Sequence, residues 1–170
     1  MVEKLIRPIW DDDMRHELAQ IVGEAVNKWC DDETPLDDCV ESAHRILDWH
    51  SNDNGYELAK EFEDDGFSPD ADLVEILDGV SYDKGNIVQE HIKMWVINNN
   101  LTLDLTEGQK VVTKIYRKGE VECEIVKLYP ETMQYGVWYD GQGSARGLGH
   151  TIIGAENILS VLTEINNSNQ

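Results

Sequence analysis

Apolar residues recur every three or four positions through the first hundred residues and then alternate with polar ones. The chain therefore predicts helices followed by strands. Trp10, Met14, Leu18, Ile21, Val22, Ala25, Val26 and Trp29 make one stripe, with Asp11 to Asp13 standing where a helix needs a cap. A second stripe, Leu36, Val40, Ala43, Ile46 and Leu47, has Thr34 as its expected N-cap and Pro35 at the first helical position. Asp37 and Asp38 would occupy the first turn, where the helix dipole favours acids. Ser68 and Pro69 repeat that start signal before Leu73, Ile76, Leu77 and Val80, with Gly79 as terminator. Shorter helices around Tyr56 to Phe62 and Ile87 to Ile97 complete an expected set of five.

After Asn98 to Asn100 the period becomes two. QKVVTKIY, EVECEIVKL, YGVWYD and GHTII are β-branched or alternating runs separated by RKG, YPETM and GQGSARGLG, a pattern of antiparallel hairpins. AENIL then reads as the short helical turn that closes small barrels. The expected fold class is α+β. It comprises an N-terminal acidic helical domain over residues 1–100, a small antiparallel SH3-like or Tudor-like β-barrel over 101–165, and a frayed tail over 166–170.

Charge changes this picture from architecture towards function. Of the 34 acids, 25 fall in residues 1–100 beside 8 bases, so the formal net charge of -20 belongs mainly to the helical part. From Asp31 to Asp83 there are 18 acids against Arg45 and Lys60 alone. Because the apolar stripes hold the helices together, these acids must share the outward faces. Two carboxylates about 6 Å apart in water repel by roughly 0.7 kcal/mol before screening, so such a cluster costs stability. The excess charge disfavours nucleic acid phosphates and anionic membranes as direct partners and favours basic protein surfaces.

The remaining candidate chemistry is weak. Cys30, Cys39 and Cys123 are odd in number and lack CxxC spacing, so no disulfide framework or zinc site is expected, and a reduced cytoplasmic setting is. MVEKLIRPIWDDD lacks a signal-peptide core, and no run of about 18 apolar residues occurs. His50, Asn52, Asn54, Gly55 and Glu61 fall on calcium-loop positions, but His stands where the first Asp belongs, and an Asn-Gly turn is the better reading. GQGSARGLG lacks the GK[ST] ending of a phosphate loop. Cys39 with His44, or His44 with His50, has no third partner. No catalytic residue, metal or cofactor is expected. Trp138 and Tyr139 are neighbours in a strand, so one ring should face the core and the other a partner.

The segment LDDCVESAHRILDWHSNDNGYELAKEFEDDGFSPDADLVEILDGV, Leu36 to Val80, resembles the central part of the phage Ocr-type antirestriction proteins. EFEDDGFSPD followed by an apolar-acidic helix is the nearest local likeness. The resemblance implies a dimeric, non-enzymatic helical DNA mimic that occupies the DNA-binding groove of a restriction enzyme. Asp37, Asp38, Glu41, Glu61, Glu63, Asp64, Asp65, Asp70, Asp72, Glu75 and Asp78 would then stand in for phosphates, and Glu57 joins them by position. The chain departs from that family where the near-neutral IVQEHIKMW replaces an acidic C-terminal helix and a barrel follows. The expected partner is a basic DNA-binding host protein of a restriction-modification or other defence complex, met in the host cytoplasm. The rival expectation is an adaptor whose barrel binds a peptide or a replication, transcription or packaging protein while the acids keep it soluble.

Overall fold

The structure, a computed structural model, describes residues 6–31, 33–50, 54–142 and 149–162, apart from the His50 side chain. Part of the calcium-loop match, most of the GQGSARGLG connection and the frayed tail lie outside the described residues. The fold class is α+β, and the described residues form five α-helices followed by a five-stranded antiparallel sheet. The helices are α1 Asp12–Trp29, α2 Leu36–His50, α3 Gly55–Asp64, α4 Ala71–Asp78 and α5 Val80–Asn98; the strands are β1 Lys110–Ile115, β2 Gly119–Tyr129, β3 Gln134–Trp138, β4 Thr151–Gly154 and β5 Ile158–Leu162. The chain divides into two compact units, Met1–Ile92 and Lys93–Gln170, with the division inside α5.

In the first unit, the Asp11 side chain caps α1 by accepting from the Met14 N–H, and Asp12 and Asp13 follow in the first turn. The buried stripe of α1 is Met14, Leu18, Ala19, Val22 and Val26, whereas Ile21 faces solvent. α2 starts one residue later than its signal suggested: Thr34 precedes the helix, and the Pro35 carbonyl accepts from the Cys39 N–H. Its buried face is Cys39, Ala43, Ile46 and Leu47, leaving Leu36 at the rim. Gly23 is where α1 and α2 meet most closely, since a Cβ there would lie 2.6 Å from the Val40 Cα.

Asn54 of the Asn-Gly pair caps α3, accepting from the Glu57 N–H at 3.0 Å. Gly55 sits so close to α4 that a Cβ would collide with the Val74 carbonyl. The cap of α4 is Asp70, not Ser68, because Asp70 Oδ1 accepts from both the Asp72 and Leu73 N–H groups. Gly79 ends α4 as the pattern implied, but α5 begins at once, seven residues before the expected start at Ile87. Phe62, Leu58, Leu73, Leu77, Val80 and Ile87 complete one continuous core.

The second unit orders its strands β4-β3-β2-β1-β5. Val111, Ile115, Cys123, Ile125, Tyr135, Val137, Tyr139 and Ile153 form its core. The long β2 bridges β1 and β3, and its register with β3 shifts between Ile125 and Lys127, a bulge that bends a strand. A short 3-10 turn at Ala155–Asn157 follows β4, as the AENIL reading suggested, but it leads into a further strand, β5, which pairs with β1. Thr113, wholly buried, donates from Oγ1 to the Asn157 carbonyl at 2.8 Å and so ties that turn to β1. The sheet is open: β4 and β5 stand at its two ends.

Candidate functional site

α2 and α3 arrange their acids by simple helical spacing. Asp37 and Glu41 are four residues apart, as are Glu57 and Glu61, with Asp64 and Asp65 a further turn along. Three surface depressions then link the stripes. One is lined by His16, Asp37, Val40, Glu41, His44, Arg45 and Asp48; a second by Arg45, Ile46, Trp49, Glu61, Asp64 and Asp65. The third includes Trp29, Cys30, Glu33, Asp38, Ser42, Asp65 and Phe67. Shared Arg45 and shared Asp65 make these one continuous surface. Asp70 adjoins it, since Trp29 Nε1 donates to Asp70 Oδ1 at 2.9 Å.

Within this surface the acids differ in employment. Asp65 pairs with Arg45 and is mostly shielded, with its Oδ2 buried and unpartnered among the described residues. Glu57 pairs with Lys60 at 3.4 Å. Asp48 is held by Arg15 at 3.1 Å, and the same arginine reaches Asp12 at 3.2 Å. Asp70 is a cap, and its pKa is lowered chiefly by the Leu73 N–H and then by the Trp29 indole. Asp78 accepts from the Gly55 N–H at 2.7 Å and secures the start of α3. By contrast, the carboxylates of Asp37, Asp38, Glu41, Glu63, Asp64, Asp72 and Glu75 hold no hydrogen bond or ion pair among the described residues, and all seven residues are exposed.

The twelve expected phosphate stand-ins therefore separate. Asp37, Asp38, Glu41, Glu61, Asp64 and Asp65 line the joined depressions; Asp70 adjoins them, and Glu57 shares the α3 stripe. Glu63 lies off that stripe, while Asp72, Glu75 and Asp78 belong to α4 and line none of the three depressions. Sequence reasoning missed Arg45 as the residue joining two depressions, although its isolation among acids was the available signal. It also missed the His16–His44 pair, whose rings sit 4.3 Å apart edge to face.

In the second unit, Trp138 ends β3 and is half-exposed, whereas Tyr139, expected beside it in the strand, follows the strand and is buried in the core. Lys118 lies over the Tyr139 ring at 4.7 Å from its centre. Across the strands, Lys110, Glu124 and Trp138 stand in register, and with Glu122 and Asp140 they line a small cavity. Among the described residues no group of His, Cys, Asp and Glu is arranged to hold a metal ion, and no helix is long and apolar enough to cross a membrane. No protein-family model, curated protein or solved structure matches the chain.

Proposed function

We propose that this protein is a non-enzymatic inhibitor of phage type whose acidic helical surface imitates a nucleic acid backbone. In this reading it occupies the DNA-binding groove of a basic host enzyme of a restriction-modification or related defence system. The observation that carries the reading is the continuous surface along α2 and α3, where Asp37, Asp38, Glu41 and Asp64 are exposed and form no ion pair among the described residues. Four residues of helix rise about 6 Å, so each stripe offers one carboxylate per roughly 6 Å and the two together one per about 3 Å. That matches one strand of duplex DNA, which carries a phosphate per about 3.4 Å of axis. Two copies side by side would double the density, which favours a homodimer as the active form.

A preorganised support adds to this. Gly23 and Gly55 seat the helices by main-chain contact, so little ordering entropy is lost when a basic groove closes on the surface. The second unit is read as an SH3-like barrel. Its strand order, its bent β2 and the 3-10 turn before β5 support that reading, with closure requiring β4 and β5 to approach. Its Trp138 cavity favours the second reading, an adaptor in which this unit binds a peptide of a DNA-handling protein.

The test is competition. Under the mimic reading the full-length protein displaces duplex DNA from a basic type I restriction complex, and its affinity falls steeply with added salt. Failure to displace DNA at low salt, together with partner capture that depends on Trp138 and not on Glu41 or Asp64, would instead establish the adaptor.

A further inference from the structure

Five tryptophans punctuate the chain, and four of them are already engaged. Lys84 lies over the Trp10 ring at 4.8 Å, Trp29 donates to Asp70, and Trp95 and Trp138 are half-buried with contacts of their own. Trp49 differs. It is 87% exposed and holds no hydrogen bond or ring contact among the described residues. A single apolar side chain in water is ordinary, so what surrounds it decides whether it has a use.

Two helices fix those surroundings. On α2, Arg45, Ile46 and Trp49 share one face, three and four residues apart; on α3, Glu61, Asp64 and the C-cap Asp65 do the same. The Arg45–Asp65 ion pair holds the two faces together, and the six residues line one depression. Arg45 is thus committed to Asp65, whereas Asp64 is exposed and holds no ion pair among the described residues.

That combination narrows the occupant. An apolar cover would strip water from Asp64 and leave its charge unpaired, and the same face of a second copy would bring acid against acid. A cation suits both walls, because the ring face and the carboxylate each attract it. Guanidinium suits them better than ammonium: it is planar, weakly hydrated, stacks on aromatic faces and forks onto a carboxylate with two hydrogen bonds. The depression already holds one guanidinium, that of Arg45 on Asp65.

We propose that Trp49 and Asp64 form a seat for an arginine side chain of a basic partner protein. The guanidinium stacks on the indole and donates to the Asp64 carboxylate. This rests on the reading of the acidic helical surface as the partner-binding face, and it adds a residue that selects arginine over lysine where carboxylates alone respond to charge.

The experiment titrates the full-length protein with triarginine and with trilysine, probes of equal charge, and follows the tryptophan indole N–H signals by NMR. Trp49→Phe assigns the Trp49 signal. Attraction of an exposed cation to an aromatic face is worth about 2- to 5-fold in affinity, so triarginine should bind tighter than trilysine by about that factor and shift the Trp49 signal. Trp49→Ala should bring the two peptides level and, because the ring is exposed, keep the native Tm. The proposal is overturned if Trp49→Ala leaves the preference intact, or if trilysine binds as tightly as triarginine. It is also overturned if sedimentation shows a dimer that Trp49→Ala dissociates, which would seat a second copy there. Displacement of DNA from a type I restriction complex is scored separately. No displacement by the native protein, with the arginine preference intact, sinks the mimic reading and leaves the seat standing; displacement undiminished by Trp49→Ala sinks the seat alone.

Discussion

Replacing Glu41 by Gln and Asp64 by Asn separates what the acidic surface costs from what it does. Glu41 follows Asp37 by four residues and Asp38 by three, and like charges at those spacings destabilise a helix by about 0.2–0.5 kcal/mol each. Asp64 is the last residue of α3, where the negative end of the dipole penalises an acid by about 0.3–1 kcal/mol. Neither carboxylate holds a hydrogen bond or ion pair among the described residues, so nothing is lost in exchange. The double variant should gain about 1 kcal/mol after screening, a rise of roughly 2–4 °C in Tm for a chain of this size. Under the mimic reading, binding should move the other way. An exposed ion pair contributes about 0.2–1 kcal/mol, so losing two should weaken displacement of DNA from the target by about 2- to 30-fold and flatten its salt dependence. Differential scanning calorimetry and a fluorescence competition assay measure the two sides. A variant that is less stable yet binds unchanged would refute the reasoning, because the acids would then be structural and not recognitive.

Gly23→Ala and Gly55→Ala should each destabilise by about 1–3 kcal/mol despite alanine's better helix propensity, since each Cβ meets main-chain atoms of the neighbouring helix; denaturant midpoints would show it. Arg45→Met should cost about 1–3 kcal/mol by leaving the shielded Asp65 carboxylate unpaired, and adding Asp65→Asn should recover much of that loss in a thermal melt. Asp70 has a folded pKa held below its ordinary value by the Leu73 N–H and the Trp29 indole. Its stabilising contribution is therefore present above the unfolded value near 3.9 and is lost as pH falls through the folded one. Urea midpoints at pH 5 and pH 3 should accordingly drop more for the native protein than for Asp70→Asn.

The helical stripes were legible because a buried face recurs every turn, and Met14, Leu18, Val22 and Val26 obey that rule without exception. Starts were less legible where two capping residues compete. Ser68 and Asp70 are both good caps, and only the chain's path into α4, with the Trp29 indole waiting for a carboxylate, selects Asp70. α5 extends back to Val80 through Ser81, Tyr82 and Gly85, residues of modest helix propensity that concealed its first turns. β5 was hidden because ILSVL, exposed at its centre, follows a helical turn and shows no buried alternation; its partner β1 defines it. For the acidic surface, sequence spacing supplied the stripes, whereas their union required Arg45 and Asp65 to be shared between neighbouring depressions.

Two of the helix pairings rest on glycine: Gly23 against Val40 brings α1 to α2, and Gly55 against Val74 brings α3 to α4. Main chain touching main chain works as a gauge block, because no exchange of one core side chain for another resets the distance it fixes. Under the mimic reading, adaptation to a target with a wider or narrower cleft would therefore proceed by relocating a glycine along its helix. Substitutions elsewhere in the interior would alter how firmly the pattern is held and leave its ruling unchanged.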